Sequence, residues 1–188
     1  MRGNFRLYRG GERICGLLRQ TKFCCPSAPQ DFIIRPRLDQ MLSQGLSRPL
    51  TLISAPAGYG KTMLVSSFLQ SCGAPWAWLS LDAHDNDLHP FLDYFVAALH
   101  SLSPGALRET RSLLTGNNLP SVTVIVDYLL NELDELGCGF CLILDDLQVI
   151  HESAVFDFLA ALLLHPLPGM HLMLRWPSSP KAGRPPCA

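Results

Sequence analysis

An α/β fold, with a mainly parallel sheet held between helical layers, is the architecture that this 188-residue sequence predicts. Three observations point to it. Apolar runs of strand length alternate with segments whose apolar residues recur every three or four positions, the pattern of right-handed βαβ crossovers. The first strand-like run ends in a glycine-containing loop that leads directly into a helical pattern. A later run is apolar without interruption and ends in two adjacent aspartates, as expected of a strand covered on both faces.

The elements follow in order. Residues 1–30 mix Gly, Arg, Cys and Pro without periodicity and read as a basic, poorly ordered arm, so the ordered domain is expected over 31–175. Pro36 suits the first position of a helix running through Leu38, Met41, Leu42 and Leu46, which share a face. Residues 50–54 form the first strand and 61–71 the next helix, through Met63, Leu64, Val65, Phe68 and Leu69. Residues 76–81 read as a second strand with Asp82 at its carboxyl end. A helix over 89–102 has Pro90 in its first turn and Phe91, Phe95, Val96 and Leu99 on its apolar stripe. After a Gly- and Asn-rich loop around 116–120, residues 122–136 give an amphipathic helix ended by Gly137. Strand 140–144, helix 154–164 and strand 170–174 complete the series. From Trp176 onward the four prolines Pro177, Pro180, Pro185 and Pro186 leave 176–188 as an irregular tail.

Composition excludes several function classes. The 48% apolar fraction suffices for a real core in a single domain. The formal charge of −1 hides an asymmetry, because residues 1–30 hold six basic side chains against Glu12, leaving nine basic and fifteen acidic residues beyond. No Lys/Arg cluster that could neutralise duplex phosphates follows Lys22, so direct nucleic-acid binding by this segment is disfavoured. Seven irregularly spaced cysteines suit a reducing compartment better than a disulfide framework. Asp127, Asp157 and His165 interrupt the most apolar stretches, so no membrane span is expected. The protein reads as cytoplasmic.

The strongest chemical signal is Ala55-Pro56-Ala57-Gly58-Tyr59-Gly60-Lys61-Thr62, set between a predicted strand and a predicted helix as a phosphate-binding loop requires. Gly58 and Gly60 would let the backbone turn its N–H groups around phosphate oxygens, and the helix that follows adds its positive end. Lys61 would reach the β and γ phosphates of ATP, and Thr62 would offer its hydroxyl to Mg²⁺. Ala57, Gly58, Tyr59, Gly60, Lys61, Thr62 and Met63 are therefore the candidate nucleotide-binding residues. Ala55 stands where the pattern usually has its first glycine.

The second signal is Leu142-Ile143-Leu144-Asp145-Asp146, at the edge where open α/β sheets bind ligands. Asp145 would hold Mg²⁺ through water and Asp146 could polarise the water that attacks the γ-phosphate. Alone, such a pair equally fits a cap or a turn. Together with the loop upstream it favours a nucleotide site. Asp82 could face the same site or cap a helix. His84, His89 and His151 lack a second cluster at ligand spacing, and Cys138 and Cys141 run into a strand rather than opening a helix, so packing suits them better than redox or zinc chemistry.

Several stretches in order resemble one family, the phosphate-loop regulators of the signal-transducing ATPase class that includes the maltose-operon activator and large LuxR-type regulators. They are Thr21-Lys22-Phe23, Arg35-Pro36-Arg37-Leu38, the loop from Ser54 to Thr62, WAWLSLDAHDND over 76–87 followed by Phe91 and Ala97-Ala98-Leu99, and Leu144-Asp145-Asp146. The resemblance implies a three-layer α/β/α P-loop NTPase fold, an ATP switch, ATP-dependent self-association in the full-length family, and a packing place near adenine for Arg35 and Pro36. It also implies a helical lid, a superhelical sensor and a C-terminal helix-turn-helix, all outside this sequence. The family continues after the fourth strand into an Ala-Thr-Arg type sequence whose arginine senses the γ-phosphate. Here Leu174-Arg175-Trp176-Pro177 stands instead, so Arg175 is not expected to occupy the sensing position. That departure and the Pro-rich tail lead to the expectation of an incomplete sheet in a truncated product. The competing readings are a stand-alone P-loop ATPase or small-molecule kinase, and an inactive remnant.

Overall fold

The computed structural model describes residues 18–27, 33–116 and 118–177. Its strands are β1 (Leu50–Ala55), β2 (Trp76–Ser80), β3 (Phe140–Asp145) and β4 (Met170–Pro177), in the order β1-β4-β3-β2 with every pairing parallel. Parallel pairing puts all four carboxyl ends on one edge. The helices are α1 (Pro36–Gly45), α2 (Lys61–Ser71), α3 (Leu88–His100), α4 (Arg108–Leu114), α5 (Val122–Asp134) and α6 (Ser153–Leu164). The α/β class and the parallel sheet are as predicted.

Alternation along the strands splits the core into two layers, because successive side chains point to opposite faces. Trp78, Cys141, Ile143 and Met173 meet Leu42 of α1 and Leu64, Val65, Phe68 and Leu69 of α2. Leu79, Leu142, Leu144 and Leu172 meet the larger layer built by α3, α5 and α6. There Phe95 and Phe158 pack edge to face with ring centres 5.2 Å apart. Each such fully buried side chain contributes about 1.5–3 kcal/mol relative to exposure, which explains why β3 is buried along its whole length. Helices thus cover both faces of the sheet, giving three layers. β1 is an edge strand, and its Leu52 remains 47% exposed.

Two features depart from the sequence expectation. β4 continues to Pro177 rather than ending at 174, because β1 offers it partners as far as Ser54↔Trp176 and Ala55↔Pro177. Helix α4 is not anticipated at all. Its N-cap, Leu107, is left-handed (φ 59°) and supplies no capping side chain. The cap comes instead from Glu132 on α5, whose carboxylate accepts from the backbone N–H of Glu109 and Thr110 at 2.9 Å each and from the Thr110 hydroxyl at 2.6 Å. A cap delivered from a different helix leaves no signature beside the helix it starts.

Burial works against the ionised form of Glu132, but the hydrogen bonds from Thr110, Glu109 and Arg108 outweigh it and hold its pKa below the ordinary value. A carboxyl depressed in the folded state stabilises the protein above its unfolded pKa and loses that stabilisation as pH falls through the folded one. Glu132→Gln is therefore expected to cost about 1 kcal/mol at pH 7, as loss of a cap does. Measured by urea denaturation, the difference from wild type should shrink as the pH drops below the ordinary glutamate range. A gap that stays constant down to acid pH would reject this assignment.

Packing against the body begins before residue 31. A 3-10 turn, Gln20–Phe23, is pinned to the sheet's far end through Lys22, which is 6% exposed. The remainder of the arm, residues 1–17 and 28–30, together with residues 31–32 and the tail 178–188, lies outside the described residues. No helix among the described residues is long and apolar enough to cross a membrane.

Candidate nucleotide-binding site

The loop after β1 turns where its glycines allow it. Gly58 and Gly60 have φ of 81° and 75°, the left-handed region that disfavours any side chain. A Cβ at Gly58 would meet nothing within 4 Å, so backbone conformation rather than crowding demands glycine there. Gly60 is the N-cap of α2 and carries no capping side chain, which leaves the first N–H groups of α2 without a side-chain partner at the mouth of the loop. Those free donors and the helix dipole suit an anion.

Lys61 folds back over this loop, its Nζ donating to the carbonyl oxygens of Ala55 (2.5 Å) and Pro56 (2.9 Å). Burial lowers the Lys61 pKa, the Arg175 guanidinium lowers it further, and the Asp146 carboxylate raises it. All three groups therefore share one electrostatic neighbourhood. Thr62 and Met63 follow in the first turn of α2, both partly buried, while Tyr59 is 62% exposed. Arg35, just before Pro36 at the start of α1, reaches the same loop, with Nη1 donating to the Tyr59 carbonyl at a long 3.5 Å. Loop and Arg35-Pro36 thus lie together.

Asp145 and Asp146 end β3 on the same edge, with β4 between them and β1. They are not alike. Asp146 is exposed, sits at φ 59°, and accepts from Gln148 Nε2 at 3.0 Å. A positive φ on a non-glycine residue is a conformation that the surroundings must enforce, and it aims the carboxylate outward. Asp145 is 4% exposed and ion-paired to Arg175, itself 7% exposed. The triphosphate part of the expected ligand suits the open loop, whereas the expected Mg²⁺ carboxylate already has a cation. Among the described residues no group of three or more His, Cys, Asp or Glu side chains is arranged to hold a metal. Arg175 is a functional candidate that sequence spacing left aside, and register alone could have found it, since Leu144↔Leu174 makes the next two residues cross-strand neighbours.

The other singled-out residues do structural work. Asp82 does not join the loop but caps the turn Ala83–Asp85, accepting from His84 N at 2.8 Å, and pairs with Lys22 at 3.1 Å. Asp85, fully buried, takes Lys22 Nζ on both oxygens at 2.6 and 2.5 Å, and the same ammonium lies 4.2 Å from the Tyr94 ring centre. Asn86 accepts from the backbone of His151 and Glu152, and Asp87 caps α3. The acidic block over 82–87 is thus a junction joining the amino-terminal turn, β2, α3 and α6. Cys141 is buried, with burial pushing its thiol up to about 12, while Cys138 is exposed. Of these two, Cys141 packs in the core and Cys138 does not.

A three-layer α/β/α fold with a glycine loop between β1 and α2 defines the P-loop-like class of α/β proteins. No family model matches the chain. Among curated proteins the chain is similar to the HTH-type transcriptional regulator MalT of Yersinia enterocolitica, with 29% identity over 167 residues. The MalT regulators of Yersinia pestis strain Pestoides F and of Yersinia pseudotuberculosis serotype O:3 are each 28% identical over the same length. The match covers 89% of this chain but only 18% of each regulator. Over that stretch the chain is similar to these regulators, and it spans about a fifth of their length.

Proposed function

We propose that this chain is the ATP-binding switch module of a MalT-type transcriptional regulator acting in the cytoplasm. The observation that carries the reading is the loop itself. Two left-handed glycines, an N-cap without a side chain and a lysine bent over loop carbonyls form an anion cradle at the start of α2. In this reading the backbone N–H groups of Ala57, Gly58, Tyr59, Gly60, Lys61, Thr62 and Met63 bind the phosphates. Lys61 exchanges its two carbonyl partners for phosphate oxygens, a stronger pairing because both partners are charged. Arg35 and Pro36 border the adenine side of the loop. Asp146, exposed at the same edge, is the candidate proton acceptor for water. Magnesium, when bound, would supply charge neutralisation at the phosphates, with the Thr62 hydroxyl as its candidate ligand, whereas Asp145, the other residue expected to hold it, is already ion-paired to Arg175.

The likeness to MalT supports the regulatory setting, and the acidic body supports DNA contact lying outside this segment. ATP-dependent self-association belongs to the same proposal for the full-length regulator. Thermal unfolding tests the nucleotide reading directly. Ligand that binds only the folded state stabilises it by about 2.7 kcal/mol at a hundred times its Kd. For a chain of this size that is an increase of about 5–11 °C in Tm. ATP at millimolar concentration should produce a concentration-dependent increase, and a Tm that ignores ATP throughout would reject the reading.

A further inference from the structure

Resting on the nucleotide reading, we infer that Arg175 is a specificity-determining residue of this site, a built-in counter-ion that holds Asp145 and makes nucleotide binding largely independent of magnesium. The backbone places the pair. Leu144 and Leu174 are register partners on parallel strands, so Asp145 and Arg175 extend side by side toward one face of the sheet. That face is the one covered by α1 and α2, because Ile143 and Met173, two residues earlier on each strand, lie in that core. Arg175 is also the register partner of Ile53, two residues before the loop begins at Ala55. The guanidinium therefore stands between the loop strand and the aspartate strand.

Both side chains are at least nine-tenths buried, at 9% and 6% exposure. The Asp145 oxygen facing Arg175 has no aligned hydrogen bond, and the Arg175 Nε finds no acceptor. Among the described residues neither side chain has a second hydrogen-bond or ion-pair partner. A divalent cation that takes the Asp145 oxygen facing Arg175 has to enter where the guanidinium sits, and its entry would leave a buried guanidinium unpaired. Breaking a buried pair in that way is strongly unfavourable. Burial lowers the Arg175 pKa to about 10, so the guanidinium keeps its charge at neutral pH and remains the partner of Asp145. With Asp145 neutralised by Arg175, Lys61 and the backbone N–H groups at the start of α2 are what remains to neutralise a triphosphate. The site is thus expected to accept the metal-free nucleotide.

The test compares wild type with Arg175→Gln by calorimetric titration of ATP in EDTA and in millimolar MgCl2. The expected result is a wild-type Kd that changes less than about threefold with magnesium, against about tenfold or more in Arg175→Gln, each decade reflecting 1.4 kcal/mol. Wild-type affinity that rises tenfold with magnesium, with the variant behaving identically, would overturn the inference. Circular dichroism checks that the variant folds. If it does not, Arg175→Lys serves instead, since an ammonium lacks the planar fork that grips a carboxylate and should let magnesium in. A magnesium effect as small as that of wild type in a folded Arg175→Lys protein would count against the proposal.

Manganese alone, followed by its electron paramagnetic resonance signal without nucleotide, separates this inference from the nucleotide reading. Stronger manganese binding by Arg175→Gln than by wild type supports the counter-ion role even if ATP does not bind either protein. Equal binding overturns it while leaving the nucleotide reading to its own test.

Discussion

Replacing Lys61 by alanine is expected to weaken ATP binding by about 10- to 100-fold while leaving the fold intact. A hydrogen bond to a charged group contributes about 1.5–3 kcal/mol, and 1.4 kcal/mol is a factor of ten in Kd. The fold should survive because Lys61 is only partly buried and, among the described residues, its side chain bonds to no more than the loop carbonyls of Ala55 and Pro56. Those carbonyls stay accessible to water once the ammonium is gone. Titration calorimetry reads the affinity and circular dichroism reads the fold. An unchanged Kd in a folded variant would remove the phosphate loop from any role in nucleotide binding.

The largest effect on stability is expected from Asp85→Ala. This change strands the Lys22 ammonium, 6% exposed, without its bidentate partner. Breaking a buried pair from one side costs about 3–5 kcal/mol. In a domain of this size that corresponds to a fall in Tm of about 6–20 °C. Asp82, 39% exposed, offers Lys22 a single oxygen at 3.1 Å and cannot replace the lost carboxylate. The reverse experiment discriminates the charge effect from simple loss of volume. Removing both charges in Lys22→Met with Asp85→Leu should be less destabilising than Asp85→Ala alone, because no buried charge is then left unpaired. A double variant less stable than the single one would show that the pair itself, rather than its imbalance, holds the junction.

These two expectations had different visibility in the sequence. Lys61 is legible because its function depends on neighbours in the chain: a strand, two glycines and a helix start within a dozen residues. The Asp145-Asp146 pair is legible for the same reason, as the end of an apolar run. Lys22 and Asp85 lie 63 positions apart. They appear in the sequence only as parts of two separate stretches, and nothing in either stretch says that they meet. Asp82 illustrates the converse, since a carboxylate at a strand's carboxyl end suggested the ligand edge, yet β2 is the far strand of the sheet. Its partners there are Lys22 and His84.

Helix α4 and the Arg175 pairing show the same limit from another side. Local propensity and spacing report on contacts between residues close in sequence, whereas Glu132 caps α4 from 22 positions away. Arg175 meets Asp145 only because β3 and β4 lie in register.

The amino-acid order by itself determined the α/β class, the alternation of elements, the phosphate-type loop and the acidic end of β3. Each of these depends on periodicity or on residues within a few positions of one another. Tertiary structure alone decided that β4 separates the loop strand from the aspartate strand, that a guanidinium occupies the buried carboxylate, and that the acidic block over 82–87 joins elements rather than lining the site. Those outcomes depend on strand order and register, which arise from burying two faces of one sheet at once and are written in no single segment.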